Sequence, residues 1–428
     1  MKKRYYLMLS FLAMLGTTAN AQWEPCPNQH IPAFTQRVVH EMVADGNTIL
    51  GGCWGYMVKS TDNGNNWEVV SHPALVSNLS QYANLVRVGS RVYAGARGNG
   101  GREIYYSDDL GLSWIIDTVG MPEMNFGPVV VKPAPVELVN LNNEYIFAQL
   151  ESNFVLYKKT DEVSWSVLPV PSAYKTPGDV FAIGSRLFLV TDKLIYSDDL
   201  GQTWVTPAND IPQTGTGYIS NVFVDGWGFI YAAYKNFTTQ VETIIVTKDM
   251  GEHWDTLNFG FNTRAVRNIF VDQTEIFVAL TPGGSDTTMR IMYSPNAGKT
   301  WSDVSLDINR YFSFGHLGIT SFLKNNGVLF AGTDEIGVMR QNGITGIAPA
   351  SARALTVYPN PAAQKIRIGK PFHVVSDVQI CDLQGRVVKR LVLQAAEEEI
   401  ALDGLPAGMY LVRLMNEEGV YQAKILKD

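Results

Sequence analysis

The sequence predicts an all-β chain: a seven-bladed β-propeller closed by its own N-terminal strand and followed by a small C-terminal β-sandwich. Three observations predict it. A motif ending in tryptophan recurs at a nearly fixed period, and a strand–turn–strand unit recurs ahead of it in a register of its own. Apolar residues meanwhile alternate at the period of strands, with almost no helical periodicity.

The motif is plainest in YSDDLGLSW (106–114) and YSDDLGQTW (196–204), two near-copies 90 residues apart. KSTDNGNNW (59–67), VTKDMGEHW (246–254) and YSPNAGKTW (293–301) share its frame, Ser/Thr-x-Asp-x-Gly-x-x-Trp. The frame residues are Ser60, Asp62, Gly64 and Trp67, then Ser107, Asp109, Gly111 and Trp114, then Ser197, Asp199, Gly201 and Trp204. Thr247, Asp249, Gly251 and Trp254 come next, and Ser294, Asn296, Gly298 and Trp301 complete the set. A worn copy, YKKTDEVSW (157–165), keeps Trp165 but carries Thr160 and Glu162 at the Asp and Gly positions. Successive tryptophans lie 47, 51, 39, 50 and 47 residues apart, a spacing in the range of propeller blades.

Chemistry gives this box a structural job. Ser and Asp oxygens accept backbone N–H groups within a tight turn, Gly supplies a positive φ, and Trp buries a large ring between sheets. Asp109 and Asp199 are therefore expected to be turn acceptors, and Asp108 and Asp198, at the free position, to face solvent.

The second register is a set of hairpins: VADGNTILGG (43–52), VRVGSRVYAG (86–95), VNLNNEYIFA (139–148), FAIGSRLFLV (181–190), VFVDGWGFIYAA (222–233), IFVDQTEIFVA (269–279) and FLKNNGVLFAGT (322–333). These are seven hairpins against six tryptophan boxes. The seventh unit stops at GVMRQNG (337–343). QWEPCP (22–27) resembles the segment at the end of a box, as in NWEVVS (66–71), and Trp23 lies 44 residues before Trp67. The N-terminal segment is thus expected to be the outer strand of the last blade, which hides the sheet edges and makes 22–345 one ring.

The box resembles the Asp-box, or BNR repeat, of sialidases, sortilin-type receptors, xyloglucan-active glycosidases and photosystem-assembly propellers. That resemblance implies that the turns join third and fourth strands, on the rim opposite the functional face. The loops crowding the other rim supply the candidates for ligand contact: Trp54, Tyr56, Arg102, Tyr311, Phe312 and His316, where aromatics with arginine suit sugar stacking or protein hot spots. Packing of the rim is the competing role for several of them. Sialidases need three arginines around a carboxylate. Arg97, Arg102, Arg264, Arg290 and Arg310 lie in predicted loops, but the Arg-Ile-Pro signature is missing.

Lys2, Lys3 and Arg4, an apolar run and Ala19-Asn20-Ala21 make residues 1–21 a secretory signal peptide, and no other stretch is long enough for a transmembrane segment. The formal net charge of −7, more negative once that basic start is removed, argues against nucleic acid as a partner. The three cysteines are too few for a disulfide scaffold, though Cys26 and Cys53 would fall on one rim and can pair. No histidine pair or cysteine cluster has metal-ligand spacing, so no metal or cofactor is expected.

Composition shifts at 346–355, a small linker, and 356–428 then carries TVYPNPAAQKIRI, VQICDLQGRVVKRL and LDGLPAGMYLVRL. Together these resemble the C-terminal sorting domain of type IX secretion cargo, a β-sandwich whose resemblance implies export across an outer membrane by that machinery. Glu397, Glu398 and Glu399 read as a solvated loop. The whole chain reads as a secreted or surface-attached monomer that binds a glycan or protein. A glycoside hydrolase working with two rim carboxylates is the alternative.

Overall fold

The computed structural model describes residues 20–29, 37–70, 80–98, 102–126, 129–151, 154–172, 178–191, 193–207, 217–225, 228–236, 238, 242–257, 265–281, 288–305, 308, 311–312, 318–345, 353–369, 376–381, 387–393, 397–416 and 419–428. Among them the chain is all-β, with no α-helix. No helix is long and apolar enough to cross a membrane. Most of the expected signal peptide, residues 1–19, lies outside the described residues.

Val39–Asp45, Thr48–Cys53, Met57–Ser60 and Glu68–Val70 form sheet 1, an antiparallel meander. The meander repeats at 80–116, 135–167, 179–197, 217–257 and 266–303 as sheets 2 to 6. Sheet 4 has three strands, and Val205 takes the fourth place through a bridge to Tyr196. In sheet 7, Ile319–Asn325, Val328–Thr333 and Val338–Thr345 are completed by Asn20–Pro25, with Trp23 opposite Gln341. The first strand of each sheet touches the first strand of the next, and that of sheet 7 returns to that of sheet 1. The sheets thus close into a propeller ring, as the sequence predicts.

The box explains how neighbouring sheets lock. In sheet 2, Gly111 N–H donates to Ser107 Oγ at 2.7 Å, and Ser107 Oγ donates to Asp109 Oδ1 at 2.8 Å. Asp109 then accepts Ser113 N–H at 2.8 Å, and Trp114 Nε1 donates to the Gly111 carbonyl at 3.2 Å. The same Ser/Thr–Gly bond recurs at Ser60, Ser197, Thr247 and Ser294. Side-chain donors Asn66 and Thr203 hold Asp62 and Asp199 below the usual carboxylate range. These acids are occupied as turn acceptors.

The box glycine does more than bend the chain. Gly111, Gly201, Gly251 and Gly298 have φ of 83–100°, and a Cβ there would stand 2.7–3.0 Å from Leu50, Leu168, Leu194 or Leu257 on the side of the preceding sheet. Gly64 meets Phe330 of sheet 7 in the same way. The residue ahead of each glycine is also left-handed, even Leu110, Leu200 and Met250, a strain the surrounding network holds.

Sheet 3 cannot use this device, because Glu162 replaces the glycine. Lys158 stands where the other boxes have Ser or Thr, and its Nζ lies 2.7 Å from Asp117, just past the last strand of sheet 2. Lys158 and Asp117 are 2% and 4% exposed, a buried ion pair. Lys158 also donates to the Glu162 carbonyl at 3.1 Å, the atom that would otherwise receive the tryptophan N–H. Trp165 Nε1 turns instead to the Asp117 carbonyl at 3.0 Å. One interblade ion pair thus replaces one interblade glycine contact.

The two near-identical boxes share one further feature. Asp108 and Asp198 do not simply face solvent: each accepts two guanidinium N–H bonds, from Arg91 and Arg186 respectively. The same guanidinium groups lie 4.1 Å over Tyr106 and 3.9 Å over Tyr196. Gly-Ser-Arg in the preceding hairpin turn and Tyr-Ser-Asp-Asp in the box are therefore one unit, present twice.

The C-terminal sandwich packs a five-stranded sheet against a three-stranded one around Ile366, Ile368, Val378, Ile380, Val412 and Leu414. It starts earlier than the composition shift suggests. Arg353–Ala354 already pairs with Gly419–Lys427, and Leu355 is buried in its core. The acidic run is a strand rather than a loop: Glu397–Ala401 pairs with Lys365–Gly369, and Glu399 bonds Lys365 and Arg367.

Candidate functional site

A polar side chain stands at the same place in all seven hairpin units, five residues before the turn. The set is Glu41, Asn84, Glu137, Asp179, Asn221, Asn268 and Ser321. In six of the seven first strands the register breaks at this place, as between Val39 and Glu41 or Val266 and Asn268. Such a bulge re-aims a side chain. These residues line one cavity of about 500 Å³, walled by the first strand of every sheet: the central channel.

The belt and its neighbour Thr320 staple six of the seven sheets to the next, and residue type decides how. Amides donate: Asn84 to the Pro135 carbonyl at 3.5 Å, Asn221 to Val266 at 2.8 Å and Asn268 to Thr320 at 3.1 Å. Carboxyls accept: Glu137 Oε2 takes Val180 N–H at 3.1 Å, and Asp179 takes Val222 N–H. Thr320 closes the circle on the Val39 carbonyl.

Among the described residues no cation forms an ion pair with Glu41, Glu137 or Asp179. Burial pushes the Glu41 and Glu137 carboxyls up to about 8, with the charges of Asp179 and Glu41 adding to the rise at Glu137. Burial raises Asp179 as well. Next to Glu41 in the chain, burial and the charge of Arg267 lower His40 to about 4. Sheets 1, 3 and 4 therefore present carboxyls that hold protons where solvent-exposed ones do not.

The rim opposite the boxes is the second candidate. Arg97 Nε and Arg102 Nη1 converge on Glu151, at 3.0 Å from Oε1 and 2.8 Å from Oε2, joining sheet 2 to sheet 3. Arg97 is exposed and Arg102 partly so, and Phe154, three residues after Glu151, is 38% exposed. Glu103 accepts Arg102 N–H and the Tyr105 hydroxyl. The other rim candidates divide. Trp54 is half-buried. Tyr56 is only 6% exposed, in a core cluster with Cys26 and Cys53, and so packs rather than projects. Tyr311 and Phe312 pack against the cluster that holds Trp23. His316, Arg264 and Arg310 lie outside the described residues. Arg290 pairs separately with Asp303, so of the candidate arginines among the described residues Arg97 and Arg102 are brought together.

Cys26 and Cys53 are both buried free thiols rather than a bonded pair, and Cys53 Sγ lies 3.9 Å from the Gly51 carbonyl. Among the described residues no group of three His, Cys, Asp or Glu side chains could hold a metal ion.

At the C-terminus, Gly408–Asn416 and Gly419–Lys427 form the hairpin that the LPAGMY stretch opens, and residues 356–428 match the family described as a secretion system C-terminal sorting domain. This tail is a sorting domain. The sorting domain directs export out of the cell, as type IX cargo to be secreted or attached to the surface. No curated protein sequence matches the chain. Among solved structures, YCF48 bound to a D1 peptide is similar, with 15% identity and a TM-score of 0.52 over 74% of this chain and 97% of that one. The GH74 enzyme of Niastella koreensis is similar at 11% identity, with a TM-score of 0.54 over 95% and 74%. Virginiamycin B lyase from Staphylococcus aureus gives 10% identity and a TM-score of 0.51 over 75% and 98%. At these identities the likeness shows the β-propeller fold. A peptide-bound protein, a GH74 enzyme and a lyase share it, so function must be argued from the site.

Proposed function

We propose that the chain is a seven-bladed Asp-box propeller, secreted by the type IX route behind its signal peptide. In this reading it works by binding, presenting the rim of sheets 2 and 3 to a glycan or protein. One observation carries the reading: Glu151 is held between Arg97 and Arg102 at the exposed rim. Both oxygens of this carboxylate are taken by guanidinium groups, so it holds two sheets together at the rim rather than standing open to a scissile bond. The two guanidinium groups suit a carboxylate-bearing ligand, which would displace Glu151, and Phe154, three residues further along the chain, offers an exposed ring for stacking.

The test is a glycan and peptide array run beside a panel of reporter glycosides, using the exported protein. Binding without turnover is expected, with affinity falling at least tenfold in Arg97→Ala/Arg102→Ala at unchanged thermal stability. Turnover of any glycoside would overturn the reading in favour of hydrolysis. Removing 356–428 is expected to leave the propeller folded but retained inside the outer membrane, seen by fractionation.

A further inference from the structure

The channel belt is divided by chemistry. Its amides sit on sheets 2, 5 and 6, whereas Glu41, Glu137 and Asp179 lie on sheets 1, 3 and 4 and interact through their charges. The other strands packed around them bring mostly uncharged groups. Sheet 1 brings His40 beside Glu41, sheet 2 Asn84, sheet 5 Asn221, sheet 6 Asn268 with Arg267, and sheet 7 Ser321. The cations at the turn ends of these strands are used elsewhere: Arg87 pairs with Asp45, and Lys324 with Asp272. Arg267, at the level of the belt, stands by His40 on the far side of the ring from sheets 3 and 4.

We propose that the belt is a proton-operated seam, in which uncharged Glu41 and Glu137 let sheets 3 to 5 close around the channel and loss of their protons loosens that arc. Loss of a proton does not by itself break the hydrogen bonds from Val180 and Val222, since both forms of a carboxyl accept; they open only as the arc loosens. The cost of charging is repulsion across a narrow channel and loss of water, and widening the channel relieves both. Within the channel lining, the amide-stapled arc of sheets 5 to 7 carries no such charge and stays closed. Glu242 of sheet 5, which accepts Val266 N–H at 2.8 Å, lies outside that lining, and the charge of Lys235 offsets part of the rise that burial causes there. A secreted protein with this seam would change channel width, and access through its centre, with external pH.

The sign is definite. Carboxyls with raised folded values stabilise most below the ordinary glutamate value and lose that contribution as pH rises through about 8. For each proton held by the folded state and released on unfolding, the folding equilibrium constant falls about tenfold per pH unit. Over about pH 7–7.5, where His40 is neutral in the folded state and mostly neutral in the unfolded chain, the fall should approach about a hundredfold per unit for the two glutamates. Urea unfolding of the wild-type protein at several pH values reads this directly, and Glu41→Gln/Glu137→Gln should flatten it. Hydrogen exchange at about pH 6 and 9.5, on either side of the raised values and corrected for base catalysis, should show Val180 and Val222 losing protection while the ladder amides of sheets 6 and 7 keep theirs. A flat wild-type profile, a variant that keeps the slope, or equal loss of protection around all seven sheets would overturn the proposal. If the variant fails to fold, the wild-type profile and exchange pattern still decide it.

Discussion

Lys158→Met is expected to destabilise the protein by about 3–5 kcal/mol, among the largest effects of any single substitution here. The reason is not the strength of the ion pair as such. Lys158 and Asp117 are both buried, so removing the ammonium leaves a carboxylate sealed between sheets 2 and 3 with its main donor gone. Asp117→Leu is expected to cost a similar amount from the other side. The double change Lys158→Met/Asp117→Leu should recover most of the loss, because two apolar side chains of comparable volume remove both desolvation penalties at once. Urea unfolding of the four proteins gives the cycle. Single substitutions that each cost under about 1 kcal/mol would show that the pair is not sealed from water.

The same geometry predicts that rewriting sheet 3 toward the box motif fails unless Asp117 changes too. Lys158→Ser, Thr160→Asp and Glu162→Gly together restore the Ser–Asp–Gly string, but Asp117 would then lose its cation. The worn copy is a different solution to one problem, how to lock a sheet onto its predecessor. It is not a decayed version of the others.

How much of this structure is legible in the sequence depends on how local each interaction is. The box network closes within eight residues, from Ser107 to Trp114, so it survives as a string and recurs visibly. Hairpin turns are local in the same sense, and the excess of hairpins over boxes is enough to place the N-terminal strand beside Val338–Thr345. The channel belt escapes a reading of motifs for the opposite reason. Its members come one per sheet, and the position is filled by Glu, Asn, Asp or Ser, so only the register five residues before each turn can expose it. Lys158 and Asp117 are 41 residues apart, and nothing in either local string marks the other. Asp108 looks solvent-facing in its own string because its partner Arg91 lies in the previous hairpin, although the joint recurrence of Gly-Ser-Arg and Tyr-Ser-Asp-Asp is a signal of the pairing. The rim aromatics show a different limit. A loop position does not say whether a ring projects or packs, and Tyr56, Tyr311 and Phe312 pack.

Trp23→Ala is expected to cost about 3–5 kcal/mol and to open the ring at one seam. Trp23 is 0% exposed and packs with Phe277, Ile291 and Tyr293 of sheet 6 and with Leu329 and Met339 of sheet 7, so its ring fills the place that a box tryptophan fills elsewhere. Its indole N–H has no acceptor among the described residues, so Trp23→Phe loses shape but no hydrogen bond and should cost less than about 2 kcal/mol. That contrast separates packing from hydrogen bonding. Removing the whole strand, residues 20–25, goes further. It strips Val338–Thr345 of its partner and leaves a bare edge on a fold whose stability depends on having few. Aggregation or loss of a cooperative thermal transition is the expected result, seen by light scattering and calorimetry. A synthetic peptide of residues 20–29 should restore the transition by pairing along the exposed edge, and a peptide carrying Trp23→Ala should do so poorly. A truncated protein that unfolds cooperatively at the wild-type temperature would mean that the ring is held by its other six seams alone.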